Sequence, residues 1–265
     1  MIYQGVLTKM QTEMSNPIAY YLIFESSFLH VNQLLGREIS IEFKGYQCLN
    51  CHKKKKIFRQ GFCFDCFTSS ASAGDWIMRP ELSTAHLGIA DRDLDYEEKV
   101  QLQPHIVYFA LSSEVKVGVT RKTQVPTRWI DQGAVQALSI VEVPNRYLAG
   151  ITEVALKKIY ADKTNWQKML KNQIEPADLI KEKQSLKYII PKEVQNFYNP
   201  DNNQLWEIHY PVLHYPKKVT SLNLEKVVQF QGKLIGIKGQ YLIFDDGTVF
   251  NVRNAEGLEV LINLL

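Results

Sequence analysis

The chain has 265 residues, 45% of them hydrophobic and 22% charged, which is enough for one large or two small folded domains. This composition excludes a disordered chain and a collagen-like repeat. No apolar run approaches the roughly 18 residues of a membrane span, and the first residues lack a signal-peptide layout, so we expect a cytoplasmic protein. The formal net charge is only +3, but residues 101–195 hold 14 basic against 9 acidic side chains. A polyanion is therefore expected first at this middle segment.

The first hundred residues are predicted to form a β-rich module with a linker. Strand-forming residues occupy 5–8, 18–24 and 38–43, and apolar and polar residues alternate in the last of these runs. A turn is expected at Gly36, just before that run. These runs predict a small sheet.

All four cysteines of the chain follow the third of these strands. They form the pattern C-x2-C-x11-C-x2-C, with Cys48, Cys51, Cys63 and Cys66 in one window of 19 residues. Two such knuckles can direct four thiolates to one point, which is the tetrahedral arrangement that Zn²⁺ takes in structural sites. Disulfides are disfavoured in a reducing cytoplasm. The spacing therefore predicts a structural zinc ion, with no open position for a catalytic water.

A cationic loop lies between the two knuckles. In one interpretation its side chains bind phosphates, and in the other they form a solvated hairpin tip that resists edge pairing. The sequence leaves both open. The candidate nucleic-acid-binding residues are Lys53, Lys54, Lys55, Lys56 and Arg59.

The middle of the chain is predicted to follow the order strand, strand, helix, strand, helix, helix. Two strands at 105–111 and 114–120 read as a hairpin, and a short helix with Pro126 in its first turn ends at Gly133. A strand at 136–143 and an amphipathic helix through Tyr160 follow. A further helix begins near Asn165, with Asp162 or Thr164 as its cap.

This order resembles that of the GIY-YIG nuclease superfamily, particularly the branch whose second motif begins with lysine. The first motif corresponds to Ile106-Val107-Tyr108 and the second to Lys116-Val117-Gly118. On this resemblance Arg128 matches the arginine of the first helix, Glu153 the acidic residue of the later helix, and Asn165 the asparagine near the end. The resemblance covers about residues 104–170. The combination of this core with a four-cysteine module also resembles an uncharacterised bacterial family of unknown function.

The resemblance implies an α+β core with a three-stranded sheet and flanking helices, and metal-dependent phosphodiester hydrolysis. Glu153 would bind Mg²⁺ or Mn²⁺, and Arg128 would contact the scissile phosphate. Tyr108 would position or deprotonate water. Lys116 would lower the pKa of Tyr108 or bind phosphate, and Asn165 would orient a neighbouring group.

We predict four parts in the chain. Residues 1–100 form the β-rich zinc module, 101–173 the GIY-YIG-like core, 174–204 a helical connector, and 205–265 a small sheet or barrel that could pair with the N-terminal sheet. Three functions stay open: a metal-dependent nuclease, a DNA- or RNA-binding protein that does not cut, and a zinc-stapled scaffold for protein interactions. No membrane partner is expected, and the oligomeric state is left open.

Overall fold

The structure is a computed structural model that describes residues 1–161 and 163–265. These residues form fourteen β-strands in several sheets and six α-helices, so the predicted α+β class is confirmed. None of the helices in these two ranges is both long and apolar enough to span a bilayer. The strands are β1 (Ile2–Val6), β2 (Gln11–Glu13), β3 (Ala19–Ile23), β4 (Phe28–His30), β5 (Glu38–Tyr46), β6 (His105–Leu111), β7 (Val115–Arg121), β8 (Gln136–Val143), β9 (Leu205–Glu207), β10 (Thr220–Ser221), β11 (Gln229–Lys238), β12 (Tyr241–Phe244), β13 (Thr248–Asn251) and β14 (Leu258–Leu264). The α-helices are α1 (Phe64–Ser69), α2 (Leu94–Gln101), α3 (Thr127–Asp131), α4 (Arg146–Leu156), α5 (Trp166–Leu170) and α6 (Leu179–Gln184).

The chain packs as two compact units. The first unit comprises Met1–Thr68, Leu170–Asn172 and Ile208–Leu265, and the second comprises Ser69–Met169 and Gln173–Glu207. Two boundaries differ from the predicted ones. The linker up to residue 100 packs with the middle of the chain, and so does β9, which was predicted to open the C-terminal module.

The first unit is built on a seven-stranded sheet in the order β1-β14-β5-β11-β12-β13-β10. The pairing of β5 with β14 and β11 joins the two ends of the chain in one sheet. Alternate residues of β14 are buried, for example Val260 and Ile262, whereas Ile39, Ser40 and Ile41 of β5 are buried in succession. The predicted turn before β5 is present, because Gly36 has a φ of +80° that favours glycine. A separate three-stranded sheet has the order β2-β3-β4.

The second unit contains a four-stranded antiparallel sheet in the order β7-β6-β8-β9. The central strand β6 is buried along its whole length. The predicted hairpin and third strand are present as β6, β7 and β8. The sheet has four strands rather than the three predicted, because Leu205–Glu207 pairs with residues 136–138 of β8.

The helices of the second unit begin and end at residues that cap them. Helix α3 is followed by Gly133 at a φ of +67°, and Asn145 Oδ1 accepts a hydrogen bond of 2.9 Å from Leu148 N at the start of α4. Helix α4 ends at Leu156, one turn earlier than predicted. Asn165 itself caps α5, since its Oδ1 accepts from Lys168 N at 3.1 Å. The predicted cap Thr164 is therefore wrong, and the alternative, Asp162, lies outside the described residues.

Candidate functional site

The four cysteines form one compact cluster in the first unit. Their Sγ atoms all lie within 4.8 Å of one another, and the Sγ atoms of Cys51 and Cys63 are 4.0 Å apart. In a tetrahedral site with Zn–S bonds of about 2.3 Å, the sulfur atoms are about 3.8 Å apart. The cluster therefore has the donor set and the dimensions to hold a metal ion such as zinc. This part of the zinc prediction is confirmed.

The local backbone joins the two knuckles and favours ionisation of Cys48. Cys63 N donates to Cys48 Sγ at 3.3 Å, which joins the two knuckles. Burial opposes ionisation of Cys48, but hydrogen bonds from the backbone of Cys51, Cys63 and Asn50 outweigh it and lower its pKa to about 6. A thiol whose pKa is lowered in this way is ready to bind a metal ion as a thiolate.

The cationic loop projects from this cluster. All five predicted phosphate-binding side chains are exposed. The Nζ of Lys55 lies 2.6 Å from Asp65 Oδ2, so this lysine is paired within the module. The guanidinium of Arg59 lies over the ring of Phe58 at 5.4 Å.

Exposed phenylalanines, which were not predicted as site residues from the sequence, lie on the same module. Phe58 is 47% exposed and Phe64 is 59% exposed, with ring centroids 5.2 Å apart and nearly perpendicular planes. Phe67 packs against Phe58 at the same distance. The sequence signal for them is that Phe58 and Phe64 both lie between cysteines of the same short window. We use the name knuckle face for the surface formed by Lys53, Lys54, Lys56, Phe58, Arg59 and Phe64.

The second unit contains a polar cluster around Tyr108. This side chain is fully buried, and its hydroxyl donates to Gln132 Oε1 at 3.0 Å. A Cβ on Gly118 would lie 2.6 Å from the Tyr108 hydroxyl oxygen, so this glycine makes room for the ring. Burial raises the pKa of Tyr108, and the positive charge of Arg128 opposes that rise. The nearby charge of Glu153 raises the pKa further. The structure thus brings Tyr108, Arg128 and Glu153 into one electrostatic neighbourhood.

Glu153 lies on a covered face of α4. Glu153 is 7% exposed, and its Oε2 lies 3.3 Å from the Nζ of Lys157, one turn away. Burial raises the pKa of this carboxyl, while Lys157 and Arg146 lower it and the negative charge of Glu81 raises it. Glu153 and Glu81 therefore interact as like charges, and Lys157 and Arg146 partly compensate the charge of Glu153.

Residues 75–82 cover this face of α4. Arg146, which is buried, donates from Nε and Nη2 to the carbonyl oxygens of Trp76 and Ile77 at 3.1 and 2.8 Å. Its guanidinium also lies 5.4 Å from the centre of the Trp76 ring. One turn along the helix, a Cβ on Gly150 would lie 2.2 Å from Glu81 N. Residues 75–82 therefore approach α4 so closely at Gly150 that only glycine fits there.

We expect the substitution Gly150→Ala to lower the free energy of unfolding by about 2 kcal/mol, the cost typical of overpacking. Alanine favours a helix, but here its methyl group would meet backbone atoms rather than a flexible side chain. Urea denaturation of both proteins measures the difference. Val154→Ala, at a position that is 40% exposed on the same helix, is the control and should change little. Equal stability of Gly150→Ala and the parent would show that residues 75–82 move aside easily.

The two other predicted catalytic residues have different surroundings. Lys116 is buried and lies on the same face of the sheet as Tyr108, because it is two residues from Gly118, the partner of Tyr108 across the strands. Asn165 is exposed and caps α5. Its part in a catalytic site stays a prediction, with no contact to the polar cluster among the interactions of the described residues.

Several residues of the polar cluster were missed by sequence reasoning. A buried arginine is uncommon, so Arg146 next to a helix cap reads as a surface residue in a sequence. Gln132 lies between a helix and its terminal glycine and carries no signal of a hydrogen bond to Tyr108. Glu81 belongs to a segment without apolar periodicity.

These observations define a mixed α+β protein with a four-cysteine cluster that can bind a metal. The chain belongs to the family described as "Protein of unknown function (DUF2797)", which matches residues 36–260 and so spans most of the chain. No curated protein and no solved structure matches it. The matched region contains both the cysteine cluster and the polar cluster.

Proposed function

We propose that the protein is a nucleic-acid-binding protein in which a structural zinc ion at the four cysteines fixes the knuckle face as the contact surface. The observation that carries this proposal is the exposure of cations and Phe58 on one short loop, with the exposed ring of Phe64 packed against Phe58 from the start of α1. Lysine and arginine neutralise phosphates without regard to sequence, and aromatic rings stack on bases. Together they suit a nucleic acid better than either would alone.

The charges of the module support an anionic partner after local neutralisation is considered. A zinc ion with four thiolates carries a net charge of −2, which nearby lysines offset. The pKa of Lys55 is raised mainly by Asp65 and less by the charges of Cys63 and Cys51. Lys55 therefore helps to offset the negative charge of the cysteine cluster. Lys55 is therefore not counted in the knuckle face. Its cations face solvent and are available for phosphates.

Salt-dependent binding tests this proposal. A variant with Lys53, Lys54, Lys56 and Arg59 changed to Gln should bind labelled single-stranded DNA or RNA more weakly. The slope of log affinity against log salt should fall in magnitude by up to about 3, since each phosphate contact contributes about 0.7 on single strands. Fluorescence anisotropy over a NaCl series, without added Mg²⁺ or Mn²⁺, measures both quantities.

The control removes the same amount of charge elsewhere in the first unit. The control variant changes four other exposed lysines to Gln. This change should leave the slope of log affinity against log salt near that of the parent. Equal slopes for both variants would contradict the knuckle face as the contact surface. The control positions are Lys217, Lys218, Lys226 and Lys233.

The second candidate function is divalent-metal-dependent phosphodiester hydrolysis by a GIY-YIG-like core. The clustering of Tyr108, Arg128 and Glu153 beside a sheet in the order β7-β6-β8 favours it. Glu153 would hold Mg²⁺ or Mn²⁺, which would polarise the phosphate and supply a nucleophilic water. Arg128 would stabilise the charge that develops on the phosphate, and Tyr108 would orient the attacking water. Incubation of the parent protein with labelled DNA and RNA in Mg²⁺, Mn²⁺ or chelator tests for cleavage, and binding without cleavage would contradict this candidate alone.

A further inference from the structure

A cavity of about 390 Å³ opens in the second unit, outside the polar cluster. Its lining comes from β6, β8 and β9, from α3 and the segment before it, and from α6 and the residues that follow it. This volume falls within the range of about 300–1,000 Å³ that is usual for small-molecule sites. The cavity is therefore large enough for a ligand.

A buried cation lines this cavity. Lys183 is 1% exposed, and its ammonium donates to the carbonyl oxygen of Asn202. Burial lowers the pKa of Lys183, and the charge of Asp201 opposes that fall. An ammonium has three N–H donors, so an anionic ligand could accept another of them. A buried cation is costly where its donors lack acceptors.

The remaining lining has flat aromatic and amide groups. Trp206 is partly buried, and Phe197 is 44% exposed. The side-chain amides of Asn199 and Gln204 also line the cavity, and amides can both donate to and accept from the edge of a base. The one carboxylate in the lining, Glu142, is paired with Lys122 at 2.9 Å and so does not oppose an anion.

We propose that this cavity holds one unpaired nucleotide, with its base against the aromatic rings and its phosphate at Lys183. Rings with amides select a planar heterocycle, and the buried ammonium selects an anion. A base inside a duplex could not enter such a cavity. The proposal rests on the nucleic-acid function proposed above and specifies its substrate class as single-stranded.

The cavity also adjoins the polar cluster. The ring of Trp129 contacts Trp206 at 5.7 Å and Tyr108 at 5.9 Å, both edge to face. Ile106, which lines the cavity, is two residues from Tyr108 on β6 and so lies on the same face of the sheet. A strand anchored here would bring its neighbouring phosphate toward the cluster of Tyr108 and Arg128.

The test is calorimetric titration of the full-length, zinc-loaded protein with AMP, GMP, CMP and UMP, and with adenosine and inorganic phosphate as separate arms. Lys183→Met keeps the volume of the side chain and removes its charge. It should weaken monophosphate binding about tenfold or more, as expected for a charged hydrogen bond, and change adenosine binding less than about twofold. Lys187→Met, at an exposed position nearby on the connector, should behave as the parent.

A second variant covers a failure of Lys183→Met to fold. Gln204 is exposed, so Gln204→Leu should fold normally and weaken adenosine and AMP binding alike. Absence of binding by all four monophosphates, phosphate binding as tight as that of AMP, or equal AMP affinity in folded Lys183→Met would each overturn the proposal. If oligonucleotides still bound in those cases, the proposed function would stand. Monophosphate binding that depends on Lys183, without oligonucleotide binding, would instead support the cavity and overturn the nucleic-acid function.

Discussion

Replacement of Glu153 by glutamine is expected to abolish metal-dependent cleavage of nucleic acid, while nucleic-acid affinity and the metal content of the cysteine cluster stay unchanged. An amide has nearly the shape of a carboxylate but lacks the negative charge that holds Mg²⁺ or Mn²⁺. The cysteine cluster belongs to the other unit, so its metal should not respond. Cleavage of labelled DNA and RNA, with metal content determined on the same samples, measures both effects.

The same substitution should not unfold the protein. Burial raises the pKa of Glu153 in the folded state, so the ionised carboxylate carries a stability cost at neutral pH that is absent below its unfolded pKa. Glutamine removes that cost together with the ion pair to Lys157. Glu98→Gln, at an exposed position of α2 in the same unit, is the matched control and should cleave normally. Equal cleavage by Glu153→Gln and the control would remove Glu153 from the catalytic machinery.

Replacement of Cys48 by serine is expected to release the metal and unfold the cysteine module. Structural zinc sites bind with about 10–16 kcal/mol of apparent free energy that is also folding free energy. Serine would leave three thiolates and would bury a hydroxyl at a position that is 0% exposed. Metal content and hydrogen exchange over residues 47–68 measure the change.

Chelation of the parent protein provides the comparison for this variant. If the metal fixes the module, prolonged exposure to a chelator should reproduce the hydrogen-exchange pattern of Cys48→Ser. Nucleic-acid binding should weaken in both, because the knuckle face is then no longer held in one conformation. Retention of one equivalent of metal by Cys48→Ser would refute the four-thiolate site.

The parts of the fold that could be predicted depend on local signals. The strands β6, β7 and β8 follow from runs of strand-forming residues, and the end of α3 follows from Gly133. The addition of β9 to the sheet could not be predicted, because three residues pair with a strand almost 70 positions earlier. The packing of residues 75–82 on α4 was equally invisible, since short 3-10 helices have no apolar period to detect.

The candidate sites differ in the same way. The cysteine cluster could be predicted because its four ligands lie within one short window. Tyr108, Arg128 and Glu153 were suggested by a family resemblance rather than by spacing; the charges of Arg128 and Glu153 both act on the pKa of Tyr108, and their catalytic roles stay predictions. The cavity was missed because Trp129, Lys183 and Trp206 come from distant parts of the chain.

The arrangement of the first unit has a consequence for the order of folding. The strand β5 ends at Tyr46, whereas its neighbour β11 begins at Gln229 and its neighbour β14 begins at Leu258. At about 5–20 residues per second, a ribosome needs roughly 10–40 s to make the intervening chain, and all of the second unit is made in that interval. During this time the sheet edge of β5 has no partner, which is a state prone to wrong pairing. The cysteine module starts two residues after β5 and closes through local residues alone, so a metal ion bound there would hold that end of the strand in place until its partners arrive.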